Sequence, residues 1–508
     1  MNLADRIDHW SRTQPDRIAI TAGGAHTTWR RLANRIERAV ARLQDEWGVR
    51  EGDRIAYLGF NRAEELVLFF AAARLGAAFV PLNYRLAPAE LAAIIEHAQT
   101  RLLVVDTEHR ELAAKALTRV DGAADIALRD LLGLIEEPCP HRPSLAIAAD
   151  DRDVLLAYTS GTTGAPKGVV HTHRGVLANA RASIAAHALT RDDRVLTVLP
   201  LFHVGGLCIQ TLPALIAGAR VVLHARFDAG AWLSDVVTQK PTLSLMVPAT
   251  LRAVIEHPRW RATDLSSLRA LMAGSSTIPR ALIDAVHARG IALCQIYGAT
   301  ETGPVTIALK AGDAMAKPGY AGWPAEAVGI RLVDAHEHDV APGSVGEILV
   351  HAPNVMRGYW REPAATGFLD TWFRTGDLAR RDADGCYEVV GRIRDLIISG
   401  GENIYPAEIE NVLADLPGVT EAAVVGMPDA KWGEAPVAFV VRSAGSALDE
   451  AGVLAAFDDR LARFKHPKRI VFVEALPKNA MGKVQKAVLR ESVAATSDAS
   501  KASTALGF

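Results

Sequence analysis

The segment Tyr158-Thr159-Ser160-Gly161-Thr162-Thr163-Gly164-Ala165-Pro166-Lys167-Gly168 constrains this chain more than any other. It packs three glycines, four hydroxyl residues (Thr159, Ser160, Thr162, Thr163) and Lys167 into eleven positions, directly after the apolar run Val154-Leu155-Leu156-Ala157. That is a strand running into a loop whose backbone N–H groups can turn toward phosphate oxygens, with hydroxyls and one cation as further donors. It is not a Walker A loop, because only two residues separate Gly161 from Gly164 and the following Gly168–Thr172 stretch reads as a second strand. A phosphate held here is held by a loop, without a helix dipole. Standing alone, the same composition also describes a surface turn.

At 508 residues the chain predicts two or more domains, and 49% hydrophobic with 22% charged residues is the balance of a soluble globular protein with ample core. Lys+Arg 56 against Asp+Glu 58, a net charge of −2, argues against a general nucleic-acid or membrane-surface binder. Cys139, Cys208, Cys294 and Cys386 have neither metal nor disulfide spacing, which fits a reducing compartment. The start carries no cationic-then-apolar signal pattern, and the most apolar stretch, residues 66–82, is broken by Arg74, Gly76 and Pro81. It reads as a buried helix followed by a strand and not as an integral membrane segment, and the expected location is cytoplasmic.

Helical patterns over 29–44, 63–75 and 87–98 alternate with short apolar runs at 54–58, 77–81 and 102–105, which predicts parallel sheet faced by helices. A Pro-rich connection spans 138–151. After the Gly/Thr loop come a helix over 174–188 and a strand over 194–199 that ends at Pro200-Leu201-Phe202-His203-Val204-Gly205-Gly206. Open α/β sheets place ligands at such strand ends, so His203 is either a pocket residue or a structural hydrogen bonder. The strand 268–273 runs into Gly274-Ser275-Ser276-Thr277, and Pro279 marks a helix start. The strand 292–296 delivers Tyr297-Gly298-Ala299-Thr300-Glu301-Thr302-Gly303. There Tyr297 can stack on a flat base, Thr300 can donate to a phosphate and Glu301 can ligate Mg²⁺; an ordinary loop has the same make-up.

Short strands over 321–359 predict a small β subdomain, and Asp377 in Thr375-Gly376-Asp377 can accept two sugar hydroxyls. Beyond Gly391-Arg392-Ile393-Arg394-Asp395 the pattern becomes a compact α+β unit: strands at 396–399, 419–426, 437–441 and 469–473, helices at 407–416 and 448–464. Lys483, flanked by glycine in Pro477-Lys478-Asn479-Ala480-Met481-Gly482-Lys483, is by default a solvated charge. The Ala/Ser/Thr-rich end, 492–508, predicts disorder.

Taken in order, YTSGTTGAPKG, PLFHVGG, YGATE, RTGD, GRIRDLIISGGENIYPAEIE and PKNAMGKVQK resemble the adenylate-forming superfamily of acyl-CoA synthetases, luciferase and peptide-synthetase adenylation domains, over nearly the whole chain. The resemblance implies an α/β fold: a large N-terminal domain (1–393) of α/β sheets with a small β subdomain, a small mobile α+β C-terminal domain (394–490) and a tail (491–508). It implies an ATP-dependent acyl-CoA synthetase with ATP, Mg²⁺ and CoA, acting on a small-molecule carboxylic acid. By the same resemblance, Thr159, Ser160, Gly161, Thr162, Thr163, Gly164 and Lys167 hold the β- and γ-phosphates. Tyr297 and Gly298 lie on adenine beside Gly274, Ser275 and Ser276, Thr300 meets the α-phosphate, and Glu301 holds Mg²⁺. Asp377 with Arg392 binds the ribose, and Lys483 bridges carboxylate and nucleotide.

The resemblance also implies a hinge at Arg394 whose swing exchanges Lys483 for the Gly400-Gly401 loop, with His203 near the mouth of a pantetheine tunnel. Trp432 and Lys468 look like elements that contact the CoA nucleotide; Arg85 is a weaker candidate, and His466 stands where such relatives carry Arg. The expected acyl walls (203–207, 246–250, 273–276, 296–306) hold no basic residue to read a second carboxylate, leaving a medium or long fatty acid or an aryl or phenylpropanoid acid. Two other functions stay open: transfer to a carrier-protein thiol, and an inactive nucleotide sensor, which predicts decay at Lys483, Glu301 or Asp377. Homodimers occur in the family.

Overall fold

The computed structural model describes residues 2–134, 151–159, 166–276, 278–400, 402–429, 431–458, 460–478 and 482–492. Two large sheets build the N-terminal domain. The nine-stranded one has six strands in parallel, in the spatial order Ala292–Tyr297, Ala270–Gly274, Leu243–Met246, Arg194–Thr197, Arg220–Leu223 and Ile18–Ala22, with short antiparallel strands at both edges. The seven-stranded one is ordered Gly358–Tyr359, Lys167–Thr172, Asp153–Thr159, Ala78–Leu82, Arg54–Leu58, Leu102–Val105 and Ala127–Asp130.

Between them lies the helix Ala63–Leu75. Residues with no polar face must be covered on all sides, and this helix shares one core with Ile20 and Val221 of the first sheet and Ile55 and Phe79 of the second. Gly76 closes it at φ +72, and the strand Ala78–Leu82 follows, so 66–82 is a buried helix plus a strand. No helix among the described residues is long and apolar enough to cross a membrane. Arg74, buried in that layer, is neutralised by Asp8 at 2.5 Å.

A five-stranded antiparallel sheet (Gly329–Val333, Gly346–His351, Phe368–Leu369, Trp372–Arg381, Tyr387–Arg392) forms the β subdomain. The smaller C-terminal sheet joins Ile397–Ser399, Glu402–Ile404, Val419–Asp429, Gly433–Arg442 and Arg469–Phe472, with the helix Pro406–Ala414 against it.

Some expected elements change length. The helix expected over 448–464 is only Glu450–Ala455, because Phe457 turns fully into the core, where the His466 ring meets it at 5.5 Å. The two long strands of that sheet extend past 426 and before 437 into a hairpin that pairs Asp429 with Gly433. The first long helix ends at Ala41 and continues as a π-helical turn, Arg42–Glu46.

Candidate active site

Parallel strands deliver their following loops to one edge of a sheet. His203, Gly274–Ser276 and Tyr297–Gly303 all follow parallel strands of the nine-stranded sheet. From the other sheet comes the phosphate hairpin, whose flanks Asp153–Thr159 and Lys167–Thr172 pair antiparallel with Thr159 opposite Lys167. This matches the strand–loop–strand reading; Ser160, Gly161, Thr162, Thr163 and Gly164 lie outside the described residues. Lys167 Nζ is 3.2 Å from Glu362 Oε1 and 4.6 Å from the centre of the Tyr359 ring.

At the opposite end Asp377 is nearly buried and doubly held. Arg392 Nε stands 2.8 Å from Oδ1, and the Tyr297 hydroxyl donates to Oδ2 at 2.8 Å. Burial and the Asp377 charge raise the Tyr297 phenol well above its ordinary value, so it remains a donor. Each carboxylate oxygen keeps a free lone pair, the capacity needed for two hydroxyls.

The Tyr297–Gly303 turn between them is rigid for traceable reasons. A Cβ at Gly298 would collide with the Pro304 carbonyl, and one at Gly303 (φ +66) with the Asn354 carbonyl. Asn354 Nδ2 donates to the Thr302 carbonyl at 2.9 Å and to that of Gly303 at 3.2 Å, while Asn179 Oδ1 accepts from Val305 N at 3.1 Å. The turn thereby presents Thr300, with the neutral His171 hydrogen-bonded to its backbone, and Glu301, whose Oε1 accepts from the Tyr359 hydroxyl at 3.1 Å. Among the described residues no group of three or more His, Cys, Asp and Glu forms a metal cage. One hard carboxylate such as Glu301 is a donor Mg²⁺ accepts when a nucleotide supplies the remaining oxygens.

His203 caps a short helical turn, Val204–Gly206; its Nδ1 accepts from Gly205 N at 2.9 Å. Burial, followed by the Lys483 charge, lowers it to about 4, so the ring is neutral and carries its proton on Nε2. Lys483 arrives from the C-terminal domain on a loop that rests on the helix Pro248–Ile255: a Cβ at Gly482 would lie 3.6 Å from Ala249 Cβ. Burial, then Arg392 and Arg394, lower its ammonium to about 8 against the pull of Asp377 and Asp395. Three cations, Lys483, Arg392 and Arg394, and two carboxylates, Asp377 and Asp395, thus share one partly dry spot.

Two family models match the sequence, "AMP-binding enzyme" over residues 7–360 and "AMP-binding enzyme C-terminal domain" over 408–483. The chain belongs to this family of AMP-binding enzymes. An indoleacetate–CoA ligase of Aromatoleum aromaticum is 44% identical over 506 residues, covering 97% of this chain and 98% of that one. A feruloyl-CoA synthase of an Amycolatopsis species is 42% identical over 482 residues, covering 94% and 96%. The crystal structure of an anthranilate CoA ligase in complex with anthranoyl-AMP superposes with a TM-score of 0.91 at 29% identity, covering 98% of each chain. The protein is accordingly an AMP-forming acid–CoA ligase of the adenylate-forming superfamily, with the α/β architecture expected of it.

Within this AMP-binding enzyme, Lys483 stands within electrostatic reach of His203, Arg392 and Asp377, Asp377 is bonded to Arg392 and Tyr297, and Thr300 and Glu301 follow Tyr297 on the same turn. Ser275 and Ser276 are exposed, Ser275 in the left-handed region at φ +70, and Gly274 fits because a Cβ would press on the Ile296 carbonyl at 2.7 Å. The hydrogen bonds of Gly400, Trp432 and Lys468 run elsewhere, within the C-terminal sheet: Gly400 N donates to the Trp432 carbonyl, Trp432 N to Asp429, and Lys468 N to the Pro436 carbonyl. Gly401 lies outside the described residues. His466 Nε2 is bonded to the Leu461 carbonyl at 2.9 Å, which occupies it structurally. Sequence reasoning missed Tyr359, Glu362, Asn354, Asn179 and His171. The first two reach the site through a two-residue strand that pairs Gly358 with Val170 and Tyr359 with Val169, a contact with no local signal.

Proposed function

We propose that the protein activates an aromatic carboxylic acid in two steps and that a swing of the C-terminal domain about Arg394 separates them. In the first, the carboxylate attacks the α-phosphorus of ATP, and the bond to pyrophosphate breaks. Lys483 neutralises the approach of two anions, Thr300 donates to the α-phosphate, and Asp377 holds the ribose against Arg392 and Tyr297. Mg²⁺ on Glu301 would offset the charge of the triphosphate. In the second step the CoA thiol attacks the acyl carbonyl and AMP leaves. Gly400, Gly401, Trp432 and Lys468 serve that step in the alternate pose.

The observation that carries this reading is the docking of the Lys483 loop on Ala249, which sets the ammonium within electrostatic reach of both His203 and Asp377. The aryl assignment is supported by the two relatives above. The test is pyrophosphate release with Mg·ATP and a panel of indolic, hydroxycinnamic and fatty acids, with and without CoA. CoA-stimulated turnover confined to aryl acids, and lost in Lys483→Ala, is the expected result; preference for fatty acids overturns the aryl assignment, and indifference to CoA shifts the acceptor to a carrier-protein thiol.

A further inference from the structure

We infer that Glu362 is an exchangeable counter-ion for Lys167. It holds the lysine beside the phosphate hairpin before the nucleotide arrives, yields it to the β- and γ-phosphates, and recaptures it as pyrophosphate departs. The inference rests on reading Lys167 as a phosphate ligand.

Lys167 Nζ lies 3.2 Å from Glu362 Oε1 and 3.3 Å from Oε2, although the residues are 195 positions apart in sequence. The backbone is arranged to bring the carboxylate there. Trp360 N donates to the Gly168 carbonyl at 2.7 Å and Trp360 Nε1 to the His97 carbonyl at 3.1 Å, which pins the turn to the phosphate strand. Arg361 then takes φ +62, a left-handed conformation that non-glycine residues adopt at a cost, and directs the next side chain back toward Lys167. The Tyr359 ring lies under the ammonium at 4.6 Å while its hydroxyl donates to Glu301. One residue therefore backs both the phosphate lysine and the carboxylate read as the magnesium ligand.

Side-chain exposures of 29% for Lys167 and 32% for Glu362 leave the pair partly wet and breakable. An ammonium bound to a carboxylate is half-neutralised toward phosphate, and that competition weakens triphosphate and pyrophosphate binding, which favours product escape. AMP has neither the β- nor the γ-phosphate and is indifferent to the exchange.

Affinities of the full-length enzyme for ATP, pyrophosphate and AMP, measured by titration calorimetry, test this in Glu362→Gln, Glu362→Ala, Lys167→Met and the Glu362→Gln/Lys167→Met double variant. Both Glu362 variants are expected to bind ATP and pyrophosphate about fivefold tighter, the worth of a good partly exposed pair, with AMP unchanged. The gain must vanish in the double variant, since the carboxylate acts only through the lysine. The inference is overturned if ATP affinity stays the same or falls, if AMP shifts in parallel, or if the gain survives without Lys167. If Lys167→Met alone leaves ATP affinity intact, it is the phosphate reading of the hairpin that fails, and the counter-ion role falls with it.

Discussion

Lys483, proposed above to neutralise the approach of carboxylate and nucleotide, is a titratable group whose ionisation can be followed. Its ammonium is lowered from 10.5 to about 8, chiefly by burial and then by Arg392 and Arg394. That makes the charged form about 3 kcal/mol less favourable than in water. The sign is fixed: in the free enzyme Lys483 is about nine-tenths protonated at pH 7 and about one-tenth at pH 9. Binding of a carboxylate and a triphosphate supplies the missing negative charge and moves the titration upward. In the adenylation half-reaction, followed by pyrophosphate exchange, kcat/KM for ATP should therefore fall about tenfold per pH unit above 8, whereas kcat should hold to higher pH. Lys483→Arg, charged throughout, should remove the limb at a lower absolute rate, and Lys483→Ala should lose about 10²–10³ of the rate, the worth of one charge-stabilising donor. An unchanged alkaline limb in the arginine variant, or alanine retaining more than about a tenth of the rate, refutes the assignment.

Tyr297→Phe removes the hydrogen bond that orients Asp377, and KM for ATP should rise about five- to tenfold with little change in kcat, as steady-state kinetics would read. Asn354→Leu leaves the buried Thr302 and Gly303 carbonyls without their amide donor, costing about 2–4 kcal/mol. Calorimetry should show melting lowered by several degrees, together with reduced adenylation because Glu301 loses its fixed backbone; a variant that melts as the parent does contradicts the clamp.

The parts legible in the sequence are those whose chemistry is local. Glycines and hydroxyls between two apolar runs announced the phosphate hairpin, and the pairing of Thr159 with Lys167 follows from the strands on either side. Asp377 and Lys483 were legible through their motifs, but the sequence was silent on what makes each work. Asp377 is held by Tyr297, 80 positions away, and Lys483 is depressed by burial and then by Arg392 and Arg394, surroundings that only the folded chain assembles. Asn354 and Asn179 look like ordinary polar loop and helix residues; their role lies in carbonyls and amides left unpaired by a turn elsewhere. The overlong helix expected at 448–464 failed for a related reason, since its apolar spacing ignores where Phe457 must go once the sheet is in place. Helical periodicity registers which residues want burial, while the core decides the path that achieves it.

The contact that delivers Lys483 also offers a direct test of domain alternation. A Cβ at Gly482 would lie 3.6 Å from Ala249 Cβ. That separation falls inside the range of about 3.5–4.5 Å spanned by a disulfide. Ala249→Cys with Gly482→Cys should therefore cross-link on oxidation, with some strain from the φ of +74 at position 482. If Lys483 must withdraw before CoA can attack, the oxidised enzyme should complete one adenylation, release one equivalent of pyrophosphate and retain acyl-adenylate. Thioester formation should stop, and a reductant should restore it. Each single-cysteine variant reports any effect of the substitutions themselves, so a reversible block found only in the pair belongs to the tether. Full thioester turnover by the cross-linked enzyme would mean that both half-reactions run in the pose seen here, and Gly400, Trp432 and Lys468 would then have no part in CoA binding.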